Sequence, residues 1–371
     1  QPVNLVLKRC KKCKTLQLSE SVSKKYLFED YVWVTGTAKT TKIFSNKFYK
    51  IASERLDNKS RYVLEIASND GTFLQPFKDN KYEILGIDPA KNISKIANIN
   101  KIKTIINFFN NNSAKKILKS YGYANLIFAR NVIPHVENIN EVIKSIFMLM
   151  DNKSIGCIEF HYVGNIIKQN QYDSIYHEHI FYFSIQSLIN LLNKFSLFCF
   201  DVERSPISGG SLIVFFSKLK KSKTKKLIKI IDQEKKDKIN NIATHKKFAI
   251  NSISHKEKFK ELILESKKKY KNIYGYGASA RSSTLLNFSN ISKEIKGIFD
   301  KNPIKINKYT AGSNIFIKDL KNFKKSKPDL IVLLAWNFTK EIIKELENKY
   351  GYKGDYLIPI PYPKIILNDK K

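Results

Sequence analysis

Residues 173–184 read DSIYHEHIFYFS and set Tyr176, His177, Glu178 and His179 side by side, in a chain with six histidines in all. Imidazoles beside a carboxylate and a phenol can pass a proton reversibly near neutral pH. His177 and His179, at alternate positions, can also share one strand face and offer nitrogens to a metal, but no obvious third ligand accompanies them. The stretch can equally be a polar strand. The other metal-like pattern is the lone Cys-x-x-Cys of Cys10 and Cys13, in KRCKKCKTLQL. Cys157 and Cys199 lie in apolar runs and read as reduced core residues, a usage that fits a cytoplasmic protein.

A second kind of chemistry is carried by small residues at strand ends. In VLEIASNDGTFL a strand runs to Glu65, and the loop with Ala67, Asn69, Asp70 and Gly71 leads into a helix. Such a loop lets backbone amides approach a ligand at the helix N-terminus, although only Gly71 remains of a three-glycine pattern. Asp88 ends the next strand, where an acid can accept from both ribose hydroxyls of an adenosine; it can also be a turn residue before Pro89. Asn131 is placed to line a cofactor pocket or to turn the chain, and His135 to face a ligand or cap the helix after Pro134. Gly275 and Gly277, with Arg281 in the first turn of a following helix, form a second half-fingerprint. It suits a diphosphate or tight strand–helix packing, and no convincing acid follows it. Tyr31, in the aromatic run DYVWV, and Ser208, Gly209 and Gly210, between two strands, suit either ligand contact or packing and turn roles.

The elements that position these groups are legible as apolar runs. From Arg61 onward, RYVLEIAS, YEILGIDPA, ANLIFARNV and IGCIEFHYV alternate with helical segments, which predicts a parallel, doubly wound α/β sheet. SLFCFDVERS and GGSLIVFFSK, joined by a Pro/Gly/Ser turn, predict an antiparallel hairpin at its edge. The lysine-rich segment from 219 to 271 has helical apolar spacing and reads as one or two solvated connecting helices. A second α/β unit opens with NIYGYGASARSSTLLN and continues through EIKGIFDKNP and DLIVLLAWNF. The expected division is therefore 1–40, 41–218, 219–271 and 272–371.

An apolar fraction of 43% and an aromatic fraction of 12% read as globular. The net charge of +33 invites a nucleic-acid reading, but only six of the 66 basic residues are arginine. Lysine is dispersed over the helices as a solvated face is, so no specific nucleic-acid partner is expected. The excess charge still favours an anionic small substrate. No uncharged apolar run is long enough to span a membrane, and the N-terminus lacks a signal-peptide pattern. A first residue other than methionine suggests a processed form or a piece of a longer chain. A monomer is expected, with a dimer as the alternative.

Taken in order, LFEDYVWVTGTAKT, LEIASNDGTFL, GIDPA, ARNVIPHV, YDSIYHEHIFYFS, SGGSLIVFF, GYGASARSSTLLN, FDKNP and LAWN resemble the sugar-nucleotide C-methyltransferases. The most specific part is YHEH followed by SGGS and the second glycine loop. An edge hairpin after five parallel strands is also the topology of class I methyltransferases. The resemblance implies a small N-terminal zinc-binding domain, of which 1–40 is a part, a central methyltransferase domain and a C-terminal Rossmann-like domain. It implies S-adenosylmethionine as cofactor and a nucleoside-diphosphate keto-deoxysugar as substrate, methylated at carbon 3 beside a 4-keto group.

On the same resemblance His179 is the base that forms the enolate, and Glu178 and Tyr176 orient it or polarise the sugar oxygens. Tyr31 and His135 line that pocket, and His177 is structural. Glu65, Ala67, Asn69, Asp70, Gly71, Asp88 and Asn131 fall to the cofactor; Ser208, Gly209, Gly210, Gly277 and Arg281 fall to the substrate. Zinc in the family is held by two CxxC pairs. Cys10 and Cys13 match the second, so either the first lay upstream of Gln1 or this member has no zinc site. Ala311 and Ala335 stand where the family often has proline. Two other functions compete: a nucleotide-dependent oxidoreductase or isomerase, and an inactive methyltransferase-like binding protein. The poor three-glycine match speaks against the first, and intact Tyr176, Glu178 and His179 against the second.

Overall fold

The computed structural model describes residues 4–23, 27–29, 31–57 and 61–368. Its chain forms two compact units, one of Leu5–Val163 with His177–Lys238, the other of Gly164–Tyr176 with Ile239–Lys371 and Asn4.

The first unit begins with the hairpin β1 (Leu7–Arg9) and β2 (Leu16–Leu18) and the helix α1 (Lys39–Ser53). Five strands follow: β3 (Tyr62–Ile66), β4 (Glu83–Asp88), β5 (Thr104–Ile106), β6 (Leu126–Arg130) and β7 (Ile155–His161). Helices α2 (Gln75–Asp79), α3 (Lys91–Ile99), α4 (Asn111–Tyr121) and α5 (Ile139–Met148) separate them. Then come β8 (Phe181–Tyr182), α6 (Ile185–Asn193), the hairpin β9 (Phe198–Ser205) and β10 (Ser211–Ser217), and α7 (Lys225–Lys236). The main sheet has the order β5-β4-β3-β6-β7-β10-β9. It is parallel through β7 and antiparallel at β7–β10 and β10–β9, the expected edge hairpin. β8 pairs instead with β2, extending the N-terminal hairpin to three strands.

The strands read as unbroken apolar runs because helices cover both faces of the sheet. Side chains alternate between two cores. Leu64, Ile66, Ile127, Ala129, Ile158 and Phe160 face one way; Val63, Leu126, Phe128 and Cys157 face the other, against Phe44 and Phe48 of α1. Each fully buried side chain of this size contributes about 1.5–3 kcal/mol relative to exposure. Helix α7 adds Leu227 and Ile230 to the first core, and its Glu234 accepts from the amides of Ile185 and Gln186 at the start of α6. So this half of the lysine-rich segment is integral to the sheet unit.

The second unit contains the long helix α8 (Ile242–Lys269) and a six-stranded sheet. Its strands are β11 (Ile273–Tyr276), β12 (Ile298–Asp300), β13 (Ile317–Asp319), β14 (Leu330–Leu333), β15 (Asp355–Ile358) and β16 (Lys364–Ile366). The order β13-β12-β11-β14-β15-β16 is parallel except for β16, with α9 (Ala280–Ser289) following β11. The fold is thus the expected α/β class: a class I methyltransferase sheet and a second Rossmann-like domain. One reading is corrected: an acid does follow the second glycine loop. Asp300 ends β12 and accepts from the Ala278 amide at 2.8 Å, a role hidden in the sequence because FDKNP looks like a turn. No helix among the described residues is long and apolar enough to cross a membrane.

Candidate active site

In an open parallel sheet, ligands bind outside the carboxyl ends of the strands where the order reverses, here at β3, between β4 and β6. The loop after β3 is shaped for close approach. Ala67, Asn69 and Gly71 all have positive φ, at 55°, 52° and 78°. At position 71 only glycine fits, since a Cβ there would lie 2.6 Å from Ile102 Cγ2. The bend brings the Asn69 amide to Asp88 Oδ2 at 2.8 Å, while the Ala90 amide holds Asp88 Oδ1 at 2.8 Å. Burial raises the Asp88 carboxyl above its ordinary range, and those two amides pull it back. Asp70 caps the same loop, accepting from Thr72 and from the Gly36 amide.

Three charged side chains lie beneath this crevice on one face of the sheet. Glu65 (β3), Arg130 (β6) and Glu159 (β7) alternate in phase with Val63, Phe128 and Cys157. Arg130 Nη2 is 2.5 Å from Glu159 Oε2, and the guanidinium lies over the Phe73 ring at 3.1 Å from its centroid. Glu65 Oε2 is buried and has no hydrogen-bond partner. Burial drives the Glu65 carboxyl well up, Arg130 only partly offsetting it. None of the three signalled its partners in the sequence, though a charge inside an apolar parallel strand was a usable mark.

The proton-transfer candidates come from three segments of the first unit. Asn131, at φ 50°, turns the chain after β6, its amide bonded to Glu159 O at 2.8 Å. His135 follows within a 3₁₀ turn, Ile133–His135. The 177–183 segment docks on that turn through Ile180 N–H to Pro134 O at 2.8 Å, and on the N-terminal hairpin through the pairing of β8 with β2. His135 Nδ1 lies 2.7 Å from the Glu178 carbonyl oxygen. A carbonyl only accepts, so Nδ1 carries the proton and Nε2 of the neutral ring keeps its lone pair. Burial lowers the His135 pKa, keeping the ring neutral. Its ring meets that of His179 with centroids 4.7 Å apart, and Tyr31 Oη donates to Glu178 Oε2 at 3.0 Å. Tyr31, His135, Glu178 and His179 therefore gather at the carboxyl end of β6.

Gly209 and Gly210, at φ 80° and 109°, turn the β9–β10 hairpin; the side chain of Ser208 lies outside the described residues. Ser211 is in register with His161, which sets the turn at the carboxyl end of β7. Tyr176, Gly277 and Arg281 belong to the second unit. There, a Cβ on Gly277 (φ 94°) would stand 2.6 Å from Ala335 Cβ, so tight packing demands this glycine. The anion that Arg281 meets is Asp173, bound by Nε at 3.0 Å and Nη2 at 2.9 Å, with Trp336 Nε1 donating to the same carboxylate at 2.8 Å.

A methyltransferase domain model matches residues 44–197, and a C-methyltransferase C-terminal domain model matches residues 206–361. The C-methyltransferase NovU of Streptomyces niveus is 28% identical over 369 residues, 98% of this chain and 87% of its own. The two models together span most of the chain, which is similar to C-methyltransferases in both parts. A S-adenosylmethionine-dependent methyltransferase structure from Archaeoglobus fulgidus is 15% identical, covering 48% of this chain and 94% of its own, with a TM-score of 0.38. Magnesium protoporphyrin IX methyltransferase (ChlM) of Synechocystis with bound cofactor is 10% identical, covering 48% and 78%, with a TM-score of 0.36.

The C-methyltransferase is an enzyme dependent on S-adenosylmethionine, and its crevice fits that group. The unsatisfied, buried Glu65 Oε2 is what a cationic ligand would complete, and Asp88 stands where ribose hydroxyls can donate. Zinc does not fit. Cys13 N–H points at Cys10 Sγ (3.4 Å), which holds the Cys10 thiol below its ordinary range. Yet two thiols are half of a closed structural site. Among the described residues no group of three or more histidine, cysteine or acidic side chains gathers to hold a metal. Cys10 and Cys13 thus remain a half site among the described residues. Cys157 and Cys199 are buried free thiols.

Proposed function

We propose that this C-methyltransferase acts on a nucleoside-diphosphate keto-deoxysugar in the cytoplasm, methylating carbon 3 beside a 4-keto group. The observation that carries the reading is the Tyr31–Glu178–His135–His179 cluster, in the same unit as the cofactor crevice. S-Adenosylmethionine supplies an electrophilic methyl group. The chain's own task is to make a carbon nucleophile. His179 takes the proton from the carbon beside the ketone, and the electron pair of that C–H bond passes into an enolate. The enolate carbon takes the methyl group as its bond to sulfur breaks, releasing S-adenosylhomocysteine; the ketone is then restored and the imidazolium returns its proton to solvent. Glu178, held by Tyr31 at its carboxylate and by His135 at its carbonyl, keeps the His179 segment in place. The likeness of YHEH and SGGS to the sugar-nucleotide enzymes supports the substrate class, as does the net charge of +33, which favours a diphosphate.

A second reading of the base rests on one observation. The Nδ1–H bond to Glu178 O leaves His135 Nε2 as a lone-pair nitrogen beside His179, so His135 is the alternative acceptor. The test is incubation with S-adenosylmethionine and a panel of nucleotide keto-sugars, read by mass spectrometry. A thymidine diphosphate 4-keto-6-deoxy sugar should gain the mass of one methylene. Methylation confined to substrates without a ketone would contradict the proposal.

A further inference from the structure

Residues 31–37 cross the cofactor crevice from wall to wall. At one end Asn92, the second residue of α3, bonds both backbone groups of Tyr31: Oδ1 accepts from Tyr31 N–H at 3.1 Å, and Nδ2 donates to Tyr31 O at 2.9 Å. The Lys91 amide reinforces this by donating to Glu29 O at 3.1 Å. At the other end Asn69 makes a similar pair, accepting from Thr35 N–H at 2.9 Å and donating to Trp33 O at 3.0 Å. Gly36 N–H adds a bond to Asp70 Oδ2 at 2.8 Å. Between the two clamps lies Asp88, held by the amides of Asn69 and Ala90.

Apolar burial does not anchor the middle of this strap, because Val32 and Trp33 are 43% and 40% exposed. Hydrogen bonds from the crevice walls do. The strap also carries Tyr31, whose hydroxyl reaches Glu178 Oε2. One side chain, 61 residues from Tyr31 in sequence, thus borders the cofactor crevice and fixes the backbone of a member of the proton-transfer cluster.

We propose that Asn92 is a positioning residue: it holds the strap across the cofactor crevice and through it sets Tyr31 against Glu178. The link to catalysis rests on the proposed function above; the link to the cofactor does not.

The test compares Asn92→Ala, Tyr31→Phe and the double variant. Trp33 is one of two tryptophans in the chain, so in a Trp336→Phe background its quenching by acrylamide reports the strap. S-Adenosylhomocysteine should shield Trp33 in the Asn92 protein and not in Asn92→Ala, and its dissociation constant should rise about tenfold, as the loss of two modest hydrogen bonds implies. Methyl transfer to a thymidine diphosphate 4-keto sugar should slow by roughly ten- to a hundred-fold, as small misplacements do. The double variant should be no slower than Tyr31→Phe alone. Unchanged Trp33 shielding in Asn92→Ala, or losses that multiply in the double variant, would overturn the proposal. Should Tyr31→Phe itself transfer methyl normally, the proton-transfer reading fails, while the Trp33 arm still decides the role of Asn92. Should Asn92→Ala not fold, Asn92→Asp keeps the acceptor, loses the donor to Tyr31 O and carries the same comparison.

Discussion

Tyr31 and Glu178 are 147 residues apart in sequence and meet through a 3.0 Å hydrogen bond in which the phenol donates to Oε2. The bond joins the strap over the cofactor crevice to the histidine-bearing segment. Tyr31→Phe and Glu178→Gln should each lower kcat more than they raise KM. In a double-mutant cycle the two should be coupled by about 1.5–3 kcal/mol, the range for a hydrogen bond to a charged group. Strict additivity in kcat would show that the pair does not act as a unit.

Glu65 is costly to the ligand-free protein. Its folded-state pKa lies well above its ordinary value of 4.5, because burial disfavours the carboxylate. The folded chain therefore holds a proton that the unfolded chain has lost, and stability falls as pH rises from 4.5 toward the folded value. Glu65→Gln should leave stability nearly unchanged below pH 4.5. At neutral pH it should stabilise the ligand-free protein, because the amide has no proton to take up on folding. The same variant should bind S-adenosylhomocysteine more weakly. Denaturant unfolding at acid and neutral pH, with and without that ligand, checks both signs.

Burial also sets the direction of the pH–rate profile. His135 is held below its ordinary value of 6.5, so it stays neutral to more acid pH than a free imidazole. If its lone pair takes part in proton transfer, the acid limb of kcat/KM should fall below pH 6.5. Glu178→Gln, which removes a carboxylate that favours the charged ring, should move the limb further to acid. An acid limb above 6.5 would exclude His135 as the titrating base.

Much of this arrangement was legible because it is local. The β3 and β6 strands announce themselves as apolar runs, the edge hairpin by its Pro/Gly/Ser turn, and the sharp turn after β3 by Gly71. What escaped was set by long-range geometry. Nothing in FDKNP distinguishes Asp300 as a strand-end acid until β12 is laid beside β11. Asn92 is one of many asparagines, and its partner is 61 residues away. Arg130 and Glu159 were visible as charges in apolar strands, but their pairing depends on the parallel register that places them together. Arg281 looked like an anion contact, and only the tertiary fold shows that its fork closes on Asp173.

The central claim is that the histidine cluster removes a proton from the carbon that is then methylated. Its most direct test is deuterium exchange in heavy water at carbon 3 of a thymidine diphosphate 4-keto sugar, comparing the unaltered protein, His179→Asn and His135→Gln. The account predicts enzyme-dependent exchange and methylation in the first. Both should be lost in His179→Asn, with S-adenosylhomocysteine binding retained; loss in His135→Gln alone would transfer the base to that residue. Methylation and exchange at the full rate in both variants would contradict the account.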